Sequence, residues 1–133
     1  MWMYHLLKGH IELEKKQFSQ ALEHFEKGLP LLYTVEDVRV LFVDALGLAS
    51  YRAGDLERSQ KEYTRLTQLN FGKLDAADLF ARAYYMLGKI YQDQGNTAAA
   101  IENYTRFLDL WKDADPGLPE VDDARKRLAG LKE

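Results

Sequence analysis

Three glycines constrain this chain more than any other feature. Gly9, Gly47 and Gly88 are each followed, twelve residues on, by a small side chain: Ala21, Ser59 and Ala100. Four residues later comes an aromatic one: Phe25, Tyr63 and Tyr104. One internal spacing kept three times is a repeat, with copies starting 38 and then 41 residues apart (47 − 9 and 88 − 47). Small residues on two successive helices let the helices approach near the short end of the usual separation of about 8–10 Å. Bulky aromatics one turn away are then expected to fill the gaps beside that contact.

The local patterns agree with helices. In the third copy Tyr84, Leu87, Ile90 and Tyr91 recur at steps of three and four, the period of one helical face. The stretches AGDLE and QGNTA place a glycine where a helix ends and Asp55 or Asn96 where the next begins. Glycine accepts the left-handed C-terminal conformation, and Asp or Asn caps free amides. These signals predict seven helices, at about 2–15, 18–32, 36–53, 56–70, 75–94, 97–112 and 119–131. The last follows a breaker, DADPGLP, and carries an apolar stripe of Val121, Ala124, Leu128 and Leu131. Its acids come early and its bases late, as the helix dipole prefers. It is the natural cover for the end of a stack.

Composition removes several classes of function. The 133 residues suit one domain with enough apolar material, 47%, for a core. A net charge of −3 argues against a nucleic-acid partner, and Arg125-Lys126-Arg127 reads as a solvated helix face. With no cysteine there is neither a disulfide framework nor thiol chemistry. The most apolar run, VLFVDALGLA, is far shorter than the roughly 20 residues a membrane span needs. The opening MWMYHLLKGH lacks the marks of a signal peptide, so a cytoplasmic location is expected.

No catalytic or metal-binding motif emerges. His5, His10 and His24 lack the partners of a metal set; His10 and Glu14 share a helix face but are only two ligands. Gly72-Lys73 lacks the first glycine of a phosphate loop, and the acids around Asp113 and Asp115 lack the glycine and glutamate of a calcium loop. No enzyme activity, cofactor or metal is expected.

Taken together, the motifs resemble the tetratricopeptide repeat family over roughly residues 3 to 112. Copy three keeps Tyr84, Leu87-Gly88, Tyr91, Ala100 and Tyr104; copy two keeps Leu46-Gly47, Gly54-Asp55, Ser59 and Tyr63. The family's period is about 34 residues, so about four and seven extra lie between copies. Copy one is mixed. Tyr4, Leu7 and Ile11 fit one register and Gly9, Ala21 and Phe25 another, which an extra residue in the turn near Lys15-Lys16 would reconcile. The resemblance implies an all-α fold, a right-handed superhelix of three helix–turn–helix repeats with a C-terminal capping helix. The whole chain, 1–133, is then one domain, with repeats at about 2–35, 36–74 and 75–112 and the cap at about 119–131. The segment from Arg106 to Leu131 also resembles the end of repeat arrays in larger bacterial regulatory proteins, which makes this chain a candidate fragment of one.

By the family's geometry first helices line a concave groove. That assigns partner binding to Asp44, Leu48 and Tyr51 in copy two, beside Leu41, and to Arg82, Tyr85, Lys89 and Gln92 in copy three. Tyr63, Tyr84, Tyr91 and Tyr104 fall at repeat core positions. The family's clamp for chaperone C-termini is not matched: Leu6, His10, Ala45 and Met86 stand at four of its positions, and only Arg82 is compatible. The expected function is a non-catalytic module that holds a peptide or helix segment of a protein partner. The rival is a structural spacer or self-association segment of a larger protein. A further expectation is a homodimer through an N-terminal edge of Trp2, Met3 and Tyr4, where an apolar first helix has no neighbour to cover it.

Overall fold

The computed structural model of the chain describes residues 1–31, 36–68, 77–111 and 118–132. These form seven α-helices and, among the described residues, no strand: α1 (Trp2–Glu14), α2 (Phe18–Gly28), α3 (Glu36–Arg52), α4 (Leu56–Gln68), α5 (Ala77–Asp93), α6 (Thr97–Leu110) and α7 (Pro119–Leu131). The all-α expectation holds, and the helices pack in adjacent pairs. The expected ends at 32, 70, 75 and 112, and most of the DADPGLP breaker, lie outside the described residues. Helix α2 stops short of its expected span and gives way after Gly28 to a 3-10 turn, Leu29–Leu31. Pro30 has no N–H to continue an α-helix, and its ring crowds the carbonyl four residues back.

The chain divides into two compact units, Met1–Asn70 and Phe71–Glu133. In the first, α1 packs on α2, α2 on α3 and α3 on α4. In the second, α5 packs on α6 and α6 on α7.

Each hairpin is closed in the same way. In the second and third turns Gly54 and Gly95 take positive φ of 86° and 80°. Asp55 Oδ1 then accepts from Arg58 N at 3.1 Å, and Asn96 Oδ1 from Ala99 N at 3.2 Å. The first turn makes the same backbone bonds at the same offsets: Lys15 N to Ile11 O, Lys16 N to Leu13 O and Gln17 N to Glu12 O. No residue is inserted there, contrary to the expectation for copy one. Instead Lys16 occupies the glycine position at φ 61°, a conformation that costs a side-chain-bearing residue about 1 kcal/mol or more. The Gly9, Ala21, Phe25 register is therefore the structural one. Tyr4, Leu7 and Ile11, the other register, are exposed.

The repeat spacing has a direct cause. A Cβ on Gly47 would lie 2.7 Å from Tyr63 Cε2, and one on Gly88 would lie 2.6 Å from Tyr104 Cδ1; on Gly9 it would overlap Phe25. The aromatic ring of the second helix lies against the glycine of the first, rather than beside the contact as expected. All three rings are fully buried. The small residue sits against the same backbone: Ser59 Oγ donates to Gly47 O at 2.7 Å, which satisfies a hydroxyl that is itself buried. Tyr84 and Tyr91, expected in the core, are only partly buried; Tyr84 stacks edge-on with Phe80 at 5.4 Å and lies under Arg106 at 5.7 Å.

Contacts between successive pairs follow a different rule. Phe42 of α3 is fully buried, and its ring covers Gly28 at the end of α2. The same register position in the third repeat is Phe107 (28 − 9 = 107 − 88), a large residue where α2 has glycine, and it lines a cleft with Val121 of α7.

Candidate protein-binding faces

The second unit holds the expected groove residues of α5. Tyr85 is not an open anchor. It is 8% exposed, and its hydroxyl donates to Asp123 Oδ2 of α7 at 2.6 Å. Arg127, one turn further along α7, donates from Nε to the same oxygen at 2.8 Å and from Nη1 to Gln92 Oε1 at 3.1 Å. Gln92 Oε1 also accepts from the Tyr104 hydroxyl at 2.8 Å. Lys89 sits over the Tyr85 ring, 5.4 Å from its centroid. Three of the four expected α5 residues are thus engaged within the unit, two of them by the capping helix. In the sequence Asp123 and Arg127 read only as dipole-matched charges. Their i, i+4 spacing is visible there, but nothing local points to Tyr85, 38 residues away.

The network sets the charge states of its members. Burial and the hydrogen bond to Asp123 push the Tyr85 hydroxyl well above the usual tyrosine range. Burial acts to raise the Asp123 carboxyl, but donation from Tyr85 and Arg127 outweighs it and holds the group below its ordinary value. Arg127 is held cationic by the same carboxylate, against a burial effect of opposite sign. Arg127 and Asp123 pair directly, with Tyr85 donating to the anion and Gln92 accepting from the cation, which makes the cluster a structural clasp.

Arg82, the fourth α5 residue, is exposed and borders a cleft of about 220 Å3. Phe107, Trp111, Leu118 and Val121 line the cleft, with Glu120. The Trp111 ring stands 6.4 Å from Phe107, and its Nε1–H is buried without a hydrogen-bond partner among the described residues. None of the lining residues except Arg82 carries a binding signal in the sequence. Trp111 precedes the Pro/Gly breaker and Leu118 lies within it, positions that mark a chain turn and nothing more.

In the first unit the α3 residues form a shallower face. Leu41 is exposed, Asp44 and Tyr51 are partly buried, and Leu48 packs against the core built on Phe25, Phe42 and Leu46. At the N-terminal edge, Met3 and Tyr4 are exposed as expected, at 44% and 56%. Trp2 corrects the expectation. It is partly buried and packs on the core, because it occupies the register of Val40 and Ala81, both inward-facing. The exposed apolar face of α1 is Met3, Tyr4, Leu7 and Ile11.

His10 and Glu14 do not form a ligand set. His10 stacks edge-on with Phe25 at 5.2 Å, and burial lowers its basicity. Among the described residues no helix is long and apolar enough to cross a membrane.

Comparison with known families gives one match. The tetratricopeptide repeat model matches residues 81–110, the span from Ala81 of α5 through the Gly95 turn to the end of α6. No curated protein matched the chain.

Proposed function

We propose that this chain, a tetratricopeptide-repeat-like protein and so in general terms a protein-interaction module, is a non-catalytic binder of an extended or helical protein segment. The observation that carries the reading is the cleft of the second unit. It has an apolar floor, an exposed arginine at its edge and a buried indole N–H with no acceptor among the described residues. A segment placing an apolar side chain against Phe107, Trp111 and Val121, with a carboxylate for Arg82, matches this lining. Lys89 would add charge along the same helix. Tyr85 and Gln92 support the site from within, since α7 holds them. In the first unit Asp44, Leu48 and Tyr51 would offer a second, weaker contact along α3.

A displayed random-peptide library selected on the intact chain tests this. Binders are expected to lose about tenfold or more in affinity with Arg82→Glu or Trp111→Phe, a loss typical of an interface anchor. The melting temperature should stay close to that of the parent. Binders that tolerate both changes would place the binding face elsewhere.

Self-association is a second reading, favoured by α1. Tyr4, Leu7 and Ile11 hold the register of Phe42, Ala45 and Ala49, which are fully buried in α3. The same face of α1 leaves Leu7 61% and Ile11 47% exposed. A second copy is the proposed cover. Light scattering should then show a dimer that Leu7→Glu dissolves; a monomer at high concentration rejects it.

A further inference from the structure

The peptide-binding and self-association readings leave out two histidines. His5 of α1 and His24 of α2 meet with Nδ1 atoms 3.2 Å apart and ring centroids 5.4 Å apart, tilted by 37°. Tyr4 stands edge-on to both rings, at 5.2 Å from His5 and 6.0 Å from His24. All of this lies on the α1–α2 contact, next to the point where Gly28 approaches the Cβ of His5.

An N–H···N bond between two imidazoles needs one nitrogen with a proton and one without. One proton at the junction joins the rings. With both rings fully protonated, both facing nitrogens are donors and two positive charges stand side by side. The surroundings do not relieve that. Around His5 the charged and titratable groups are His24, the α-amino group and Lys27. The carboxylate beside His24 is Glu23, and Lys27 already holds it at 2.6 Å.

We propose that the His5–His24 contact is a proton-operated clasp, closing α1 onto α2 at neutral pH and opening when the pair takes up its second proton. The direction follows from burial first, then from His24, the α-amino group and Lys27, all of which lower the basicity of His5 in the folded chain. The unfolded chain, with histidine near its ordinary value of 6.5, binds more protons than the folded one just below that pH. The clasp is therefore fully effective above about pH 6.5 and is lost as pH falls from there through the folded value. Its site of action is the first repeat. The second unit contains no histidine, so its helices are an internal reference.

The test uses the full chain with two readouts. Histidine ring signals followed by NMR across the histidine range, from about pH 8 to 5, should show His5 titrating below about 6.5. Amide-exchange protection in α1, normalised to α5, should fall as the pH drops through that step. His10 is also depressed by burial and would contribute in the same direction, so the comparison is made in a His10→Gln background. Adding His24→Gln keeps a neutral hydrogen-bonding partner for His5 and should remove most of the pH dependence of α1. Adding His24→Lys instead should weaken α1 at every pH. A His5 step at the ordinary histidine value, or an unchanged pH dependence in the His24→Gln chain, would overturn the proposal.

Discussion

Replacing Gly88 by leucine is expected to destabilise the third repeat by about 3 kcal/mol, and Tyr104→Ala by about 3–5 kcal/mol. The first forces a side chain into space held by a fully buried ring, since even a Cβ would stand 2.6 Å from Tyr104 Cδ1. Leucine's better helix propensity, worth about 1 kcal/mol over glycine, is too small to offset that. The second change empties the ring's volume and removes its hydrogen bond to Gln92. The combination is the informative case. With the ring gone, the introduced leucine has a cavity to enter, so the double variant should be more stable than the sum of the single losses by about 1–3 kcal/mol. Urea denaturation of the parent, both single variants and the double variant measures it. Strict additivity would mean that glycine and ring do not share one volume.

The second large effect is expected at the boundary between the first two pairs. Phe42→Ala should cost about 3–5 kcal/mol, a sizeable part of the roughly 5–15 kcal/mol that holds a domain together. Phe42 is fully buried, and its ring covers Gly28, which has no side chain to refill the space. Leu41 next to it is 41% exposed, and Leu41→Ala should change stability by no more than about 0.5 kcal/mol. Equal losses from the two would show that α3 is turned differently on α2.

These two sites differ in how far the sequence reveals them. Gly88 and Tyr104 lie in one hairpin, sixteen residues apart, and the same pairing recurs at Gly9–Phe25 and Gly47–Tyr63. Repetition exposes the rule. Gly28 and Phe42 belong to different hairpins, and the position of Gly28 is held by Phe107 in the third repeat, so no recurring spacing marks them. Turn chemistry behaves the same way. Gly54 and Gly95 announce a left-handed residue because glycine alone enters that conformation without strain. Lys16 makes the identical turn and carries no such sign, which is why copy one looks out of register.

Much that is local and periodic is legible in the residues themselves: seven helices, the two glycine turns, and the spacing that pairs each glycine with an aromatic, though not that the ring lies against the glycine itself. Those depend on residues within about one hairpin, where backbone geometry converts spacing directly into proximity. Which apolar positions are covered, and which polar ones are occupied, follows instead from packing between distant parts of the chain. Tyr85 becomes a buried member of a clasp because α7 lands with Asp123 and Arg127 against it. Leu7 and Ile11 stay exposed, although their pattern is that of a buried face, because among the described residues no helix lies over that face of α1 as α2 lies over α3. A side chain's environment is set by what packs against it from elsewhere in the chain, and helical periodicity says only which side it faces.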